Sequence, residues 1–181
     1  LYYFMNKPDS NRSHRRAFFA ILVMAMLSMP SLAEAQFVIV TNAKSPIDSL
    51  SMQELQKVFK GQAIGPQKDT PLQIIEYDPA CDRFYGILYD QNAYAIAKHW
   101  LRLIFAGERV KPPKNFTEIA PFLEFLSENR YTIGFLTTKT FLEIKSKIPT
   151  FSGNKNIRAV MIDGWNYGDA QYPLKPSKRK K

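Results

Sequence analysis

Apolar positions fall into two regimes along the chain. From Ala17 to Met29 they form an almost unbroken run, behind a polar segment ending in Arg15 and Arg16. Downstream they break into strand-length runs and helical stripes punctuated by Pro, Gly, Asp and Asn. Phe37–Val40 is a continuous apolar run, the pattern of a strand buried on both faces. A polar loop with Pro46 follows from Thr41 to Asp48. Ser51 and Glu54 then form a capping box, and Leu50 and Leu55 stand where a hydrophobic staple would sit. The helix they open carries Met52, Leu55, Val58 and Phe59 on one stripe and closes at Gly61. Pro66–Pro71 reads as a turn and Leu72–Tyr77 as a second strand. Asp78–Asp82 reads as a loop into a helix from about Arg83 to Tyr89.

Asn92 caps the next helix, whose predicted buried side is Ile96, Ala97, Trp100, Leu101, Ile104 and Phe105. Gly107 ends it, and Pro112 and Pro113 prevent its continuation. Thr117 is the expected cap of a helix reaching Asn129, with Ile119, Phe122, Leu123 and Leu126 inward. Tyr131–Leu136 reads as a strand interrupted by Gly134, Thr140–Lys147 as a short helix and Ile157–Ile162 as the last strand. Asp163 and Gly164 end the pattern. Strands alternating with helices predict an α/β fold, a mixed sheet covered by helices on both faces.

The N-terminal run has the length of a signal-peptide core and is short for a bilayer span. Met5 is the first plausible initiator, with Leu1–Phe4 ahead of it. Pro30 breaks the helix, and Ala33-Glu34-Ala35 offers the small residues that a signal peptidase reads. The reading is a signal peptide over 1–35 and a mature terminus at Gln36, with a retained membrane anchor as the alternative. One domain is expected over 36–165, followed by a basic disordered tail over 166–181. The expected compartment is the periplasm, with the mature protein soluble there.

Charge changes this picture little. The net charge of +9 falls to +7 once the first 35 residues are set aside, and five basic residues crowd into the last seven. The body is therefore nearly neutral and offers no broad nucleic-acid surface. The tail is either a solvated end or a weak electrostatic tether to anionic lipid or nucleic acid. Cys81 is the single cysteine, so no internal disulfide forms. No metal-spaced His/Cys cluster and no phosphate-cradling glycine loop occurs, and no cofactor is expected.

Two places suit an oxyanion on physical grounds, because helix N-termini and loops after strands present free amide donors. One is the loop where Thr41, Asn42 and Ser45 offer side-chain donors, or else form an Asx/Ser turn. The other is the turn before the Arg83 helix, where Arg83 can form a bidentate pair with an anion or a surface ion pair with Asp82 or Asp78.

Three segments carry a family resemblance. Leu50-Ser51, Glu54-Leu55 and Val58-Phe59-Lys60-Gly61 resemble the "Leu-Ser … Leu … Ile-Phe-x-Gly" segment of phosphate-type periplasmic substrate-binding proteins. His99-Trp100, Leu103-Ile104-Phe105-Ala106-Gly107 and Pro112-Pro113 are similar to their "Trp … Phe-x-Gly … Pro-Pro" segment. Ile133-Gly134-Phe135 matches their "Ile-Gly-Tyr" strand. At the family's Ser-Gly-Thr-Arg-like turn only Arg83 and Phe84 match. The resemblance implies a type 2 periplasmic-binding-protein-like domain, a single or truncated lobe, which is not an enzyme. Its ligand would be phosphate or a similar oxyanion, held by Thr41, Asn42, Ser45 and Arg83. Its partner would be the permease of an ABC transporter or a sensor. Two other readings stay open: a ligand-less envelope interaction module with the same fold, and an enzyme dependent on Cys81, with His99 as its formal partner.

Overall fold

The structure, a computed structural model, describes residues 37–62, 72–147 and 156–175. The expected signal peptide and cleavage site, the Pro66–Pro71 turn and the last six residues lie outside the described residues. Five strands form a mixed sheet in the order β4 (Lys114–Phe116), β3 (Gln73–Tyr77), β5 (Thr132–Thr137), β1 (Phe37–Asn42), β6 (Ile157–Ala159). β3 runs parallel to both β4 and β5, whereas β1 runs antiparallel to β5 and β6. A second, two-stranded parallel sheet joins β2 (Ser49–Leu50) to β7 (Met161–Ile162).

All six residues of β1 are buried, which explains their unbroken apolar start. The period of two sends alternate side chains to opposite faces. Phe37, Ile39, Ile74, Ile133 and Phe135 join one core, whereas Val38, Val40, Ile75, Leu136 and Ile157 join the other. Helices α1 (Met52–Val58), α2 (Cys81–Tyr89) and α3 (Ala93–Phe105) contribute to the first core, which centres on Phe84 stacked against Phe135 at 3.7 Å. Helices α4 (Ile119–Glu128) and α5 (Thr138–Lys147) supply the second. The α/β fold with a mixed sheet covered on both faces is therefore as the pattern predicted.

The α1 termini follow the sequence closely. Ser51 Oγ accepts from the Glu54 amide, and the Glu54 carboxylate accepts from the Ser51 amide at 2.8 Å. At the other end the Gly61 and Gln62 amides turn back onto Val58 and Lys57, with Gly61 at φ 80°.

Four local expectations change. The turn after β3 is a 3-10 turn, Asp78–Ala80, and α2 begins at Cys81 rather than Arg83. Glu118, not Thr117, precedes α4, and no side-chain cap forms, because residues 114–116 are drawn into β4 beside β3. The predicted strand at 157–162 divides at Val160, where the chain leaves β1 and pairs with β2. On α3 only Ile96 and Trp100 are buried, while Ala97, Leu101, Ile104 and Phe105 face outward.

The chain also stays packed beyond 166, where a disordered tail was expected. Tyr172 and Leu174 are buried in the first core, and the Phe37 amide donates to the Leu174 carbonyl at 3.2 Å. Lys175 Nζ donates to the Asp169 and Ala170 carbonyls. Two apolar side chains spaced by two thus anchor a segment that its charge suggested was loose. Among the described residues no helix is long and apolar enough to cross a membrane.

Candidate functional site

The four sequence-predicted residues do not meet. Thr41 pairs with Ile133 in β5, and Gln73, at the start of β3, pairs with the adjacent Thr132. Thr41, Asn42 and Ser45 therefore lie at the amino end of β3. Arg83 follows its carboxyl end, roughly 15 Å away along a five-residue strand. A single anion cannot touch both.

The loop side chains are also engaged within the fold. Thr41 Oγ1 donates to the Thr132 carbonyl at 2.6 Å. Asn42 Nδ2 donates to the Leu126 and Ser127 carbonyls, satisfying the end of α4, while its Oδ1 accepts from the Lys44 amide. Ser45 Oγ accepts from the Ile47 amide at 3.3 Å. Arg158 locks this loop: its Nη2 donates to the Ser45 and Ile47 carbonyls, both at 2.8 Å, and its Nη1 pairs with Asp48. The Asx/Ser-turn reading of the loop is the one the geometry matches. Arg83 sits on the exposed side of α2 and makes no ion pair among the described residues. Asp82 turns instead to α3, where its carboxylate accepts from the Ala93 amide at 2.9 Å.

At the carboxyl end of β3 the buried groups are acidic and thiol. Glu76 accepts a hydrogen bond from the Tyr85 hydroxyl, and the Cys81 thiol lies 3.5 Å from the Tyr77 carbonyl and 4.0 Å from Glu76 Oε2. Burial pushes the Glu76 carboxyl above the usual carboxylate range, against the lowering effect of the Tyr85 hydrogen bond. Burial, with Glu76 and the neighbouring aspartates, also drives the Cys81 thiol far up. A buried thiol kept protonated by acidic neighbours is the reverse of an activated nucleophile. His99 is engaged elsewhere, its Nε2 donating to the Lys60 carbonyl at 3.1 Å. This geometry counts against the Cys81-dependent enzyme.

The place that gathers positive charge is a polar cleft of about 270 Å3 lined by Lys60, Gln91, Ala95, Lys98, His99 and Arg102. Lys98 and Arg102 are four apart on α3, and Ala95 and His99 form the next row, so all share one helix face. Lys60 arrives from the turn that Gly61 makes after α1, with its ammonium 4.5 Å from the centre of the Tyr89 ring. No acidic side chain lines the cleft. The i, i+4 basic pair was legible in the sequence; the approach of Lys60 to it was not.

No protein-family model matches the sequence, and neither does any curated protein. Solved structures do match by fold. One is a "possible phosphate binding protein" from Planctomyces limnophilus, with TM-score 0.51, 13% identity, and coverage of 95% of this chain and 55% of that one. Another is PstS from Borrelia burgdorferi, with TM-score 0.53, 13% identity, and coverage of 79% of this chain and 55% of that one. The chain thus spans about half the length of these structures. At such identity the likeness is one of architecture. The chain has a type 2 periplasmic-binding-protein-like α/β fold, the fold of phosphate-type solute-binding proteins, over about half of their length.

Proposed function

We propose that this domain belongs to an exported solute-binding protein, released by cleavage before Gln36, that captures phosphate or a similar oxyanion. Delivery would be to an ABC-transporter permease or a sensor. The fold supports a solute-binding role, and the observation that carries the anion is the cleft of Lys60, Lys98, His99 and Arg102, with its undiluted positive lining. An oxyanion there would accept charge-assisted hydrogen bonds from Lys98 and Arg102, with Gln91 as a neutral donor. This moves the proposed site away from Thr41 and Asn42, whose donors are spent inside the fold, from Ser45, which is buried beside them in the turn, and from Arg83. Calorimetry with inorganic phosphate on the purified chain tests it. The reading expects heat that a K98A/R102A double variant loses. Absence of heat with both phosphate and sulfate would remove it.

A second reading, an envelope interaction module without a small ligand, draws on the outward-facing Leu101, Ile104 and Phe105. It expects the chain to bind no anion and to retain an envelope protein partner in a pull-down that F105A abolishes. Retention unaffected by F105A would count against it.

A further inference from the structure

The opposite face of α3 frames a second, larger cavity that the oxyanion reading does not use. It measures about 430 Å3, and its apolar walls are Tyr94, Ile96, Trp100, Leu101 and Ile104 from α3 with Pro112 and Pro113 opposite. Tyr94, Leu101 and Ile104 remain 77%, 52% and 45% exposed, so large apolar side chains converge on a space that none of the described residues fills. The far wall is held in place: Gln73 Nε2 donates to the Pro112 carbonyl at 3.1 Å, and β4 pairs with β3 directly beyond.

The polar groups of this cavity share one sign. Glu76 pairs across the strands with Asn115, so both side chains leave the sheet on the same face, and both line the cavity with Asp78. No lysine, arginine or histidine lines it. Glu76 is 7% exposed, and its two oxygens have unequal partners. One oxygen takes the Tyr85 hydroxyl, and the other has, among the described residues, only the weak Cys81 thiol donor at 4.0 Å. Ionising a carboxyl buried without a cation is costly, and a cation arriving from outside would stabilise the ionised form. Trp100, 4% exposed, also lines the cavity.

We propose that this cavity binds an organic amine: a protonated primary ammonium lying at Glu76 and Asp78, carried on an apolar body that lies between the α3 side chains and Pro112–Pro113. The ammonium supplies charged donors to Glu76 and Asp78, and Tyr94 and Trp100 give the apolar body aromatic walls. An inorganic oxyanion is disfavoured in the same space, because two carboxylates would repel it and nothing would neutralise it. The site is separate from the basic cleft, sharing no lining residue with it.

The test compares 3-phenylpropylamine, cationic at neutral pH, with 3-phenylpropan-1-ol and 3-phenylpropanoate, which keep the body and change the head. A Trp165→Phe background leaves Trp100 as the only tryptophan, so its emission reports occupancy directly. The amine should bind at least about tenfold more tightly than the alcohol, and the carboxylate should not bind. Asp78→Asn, at an exposed position, should reduce that preference several-fold, and Glu76→Gln should remove most of it. K98A/R102A should leave amine binding unchanged while abolishing any phosphate heat, so the two sites fail separately. Equal binding of amine and alcohol would overturn the proposal, as would an undiminished preference for the amine in the folded Asp78→Asn protein. No fluorescence change with the amine at millimolar concentration would overturn it too.

Discussion

Glu76 of β3 accepts the hydroxyl proton of Tyr85 of α2 inside the first core, tying the central strand to the helix that covers it. The pair is buried, and the carboxyl is raised by burial, so folding favours its protonated form. The associated stability is complete below the ordinary carboxylate range and is lost as pH rises through the raised value. Urea midpoints should therefore fall between about pH 4 and about pH 8 by more in the native sequence than in Glu76→Gln. Equal slopes in the two proteins would contradict a buried, raised Glu76.

Tyr85→Phe tests the same contact from the other side. It leaves the ring packing in place and removes the donor, stranding a buried acceptor at a cost of about 1–3 kcal/mol in urea denaturation near neutral pH. At low pH, where Glu76 is protonated, the cost should shrink.

Gly134 lies in the middle of β5 against Ile75. A Cβ there would stand 2.7 Å from Ile75 Cγ1 and 2.9 Å from the Ile75 carbonyl oxygen, which belongs to the backbone and cannot swing aside. Gly134→Ala should destabilise by about 1–3 kcal/mol or more, read as a lower urea midpoint with unchanged m.

Ser51→Ala should cost about 1 kcal/mol, because it removes the acceptor for the Glu54 amide at the start of α1. Both hydrogen bonds of that capping box were legible from the sequence, since capping depends on residues three apart. Other local features were equally legible: the fully buried β1, the Asn92 cap of α3 and the turn at Gly107. The misreadings share a cause, which is that they depend on distant partners. β4 exists because β3 is beside it, and the 157–162 run divides because two different strands await it. The segment at 166–175 packs because the first core has room for Tyr172 and Leu174.

The site was less legible than the fold for the same reason. Thr41, Asn42 and Ser45 have the side chains that an anion needs, yet β5 and α4 consume the donors of Thr41 and Asn42, and Ser45 is buried in its own turn. Arg83 has the right charge, but the register places it at the other end of β3. The apolar stripe of α3 looked like a wider core face than it is, because helical periodicity does not reveal whether a neighbour covers every row. Lys98 and Arg102 were visible as an i, i+4 pair, and only the folded turn after α1 brings Lys60 to them.

Phosphate titration by calorimetry tests the central claim most directly, in the native chain, in K98A/R102A and in Arg83→Ala. The account predicts saturable heat in the native chain and in Arg83→Ala, with affinity lowered at least about tenfold in K98A/R102A. Binding that survives K98A/R102A and disappears in Arg83→Ala would contradict it, as would no binding of phosphate or sulfate at all.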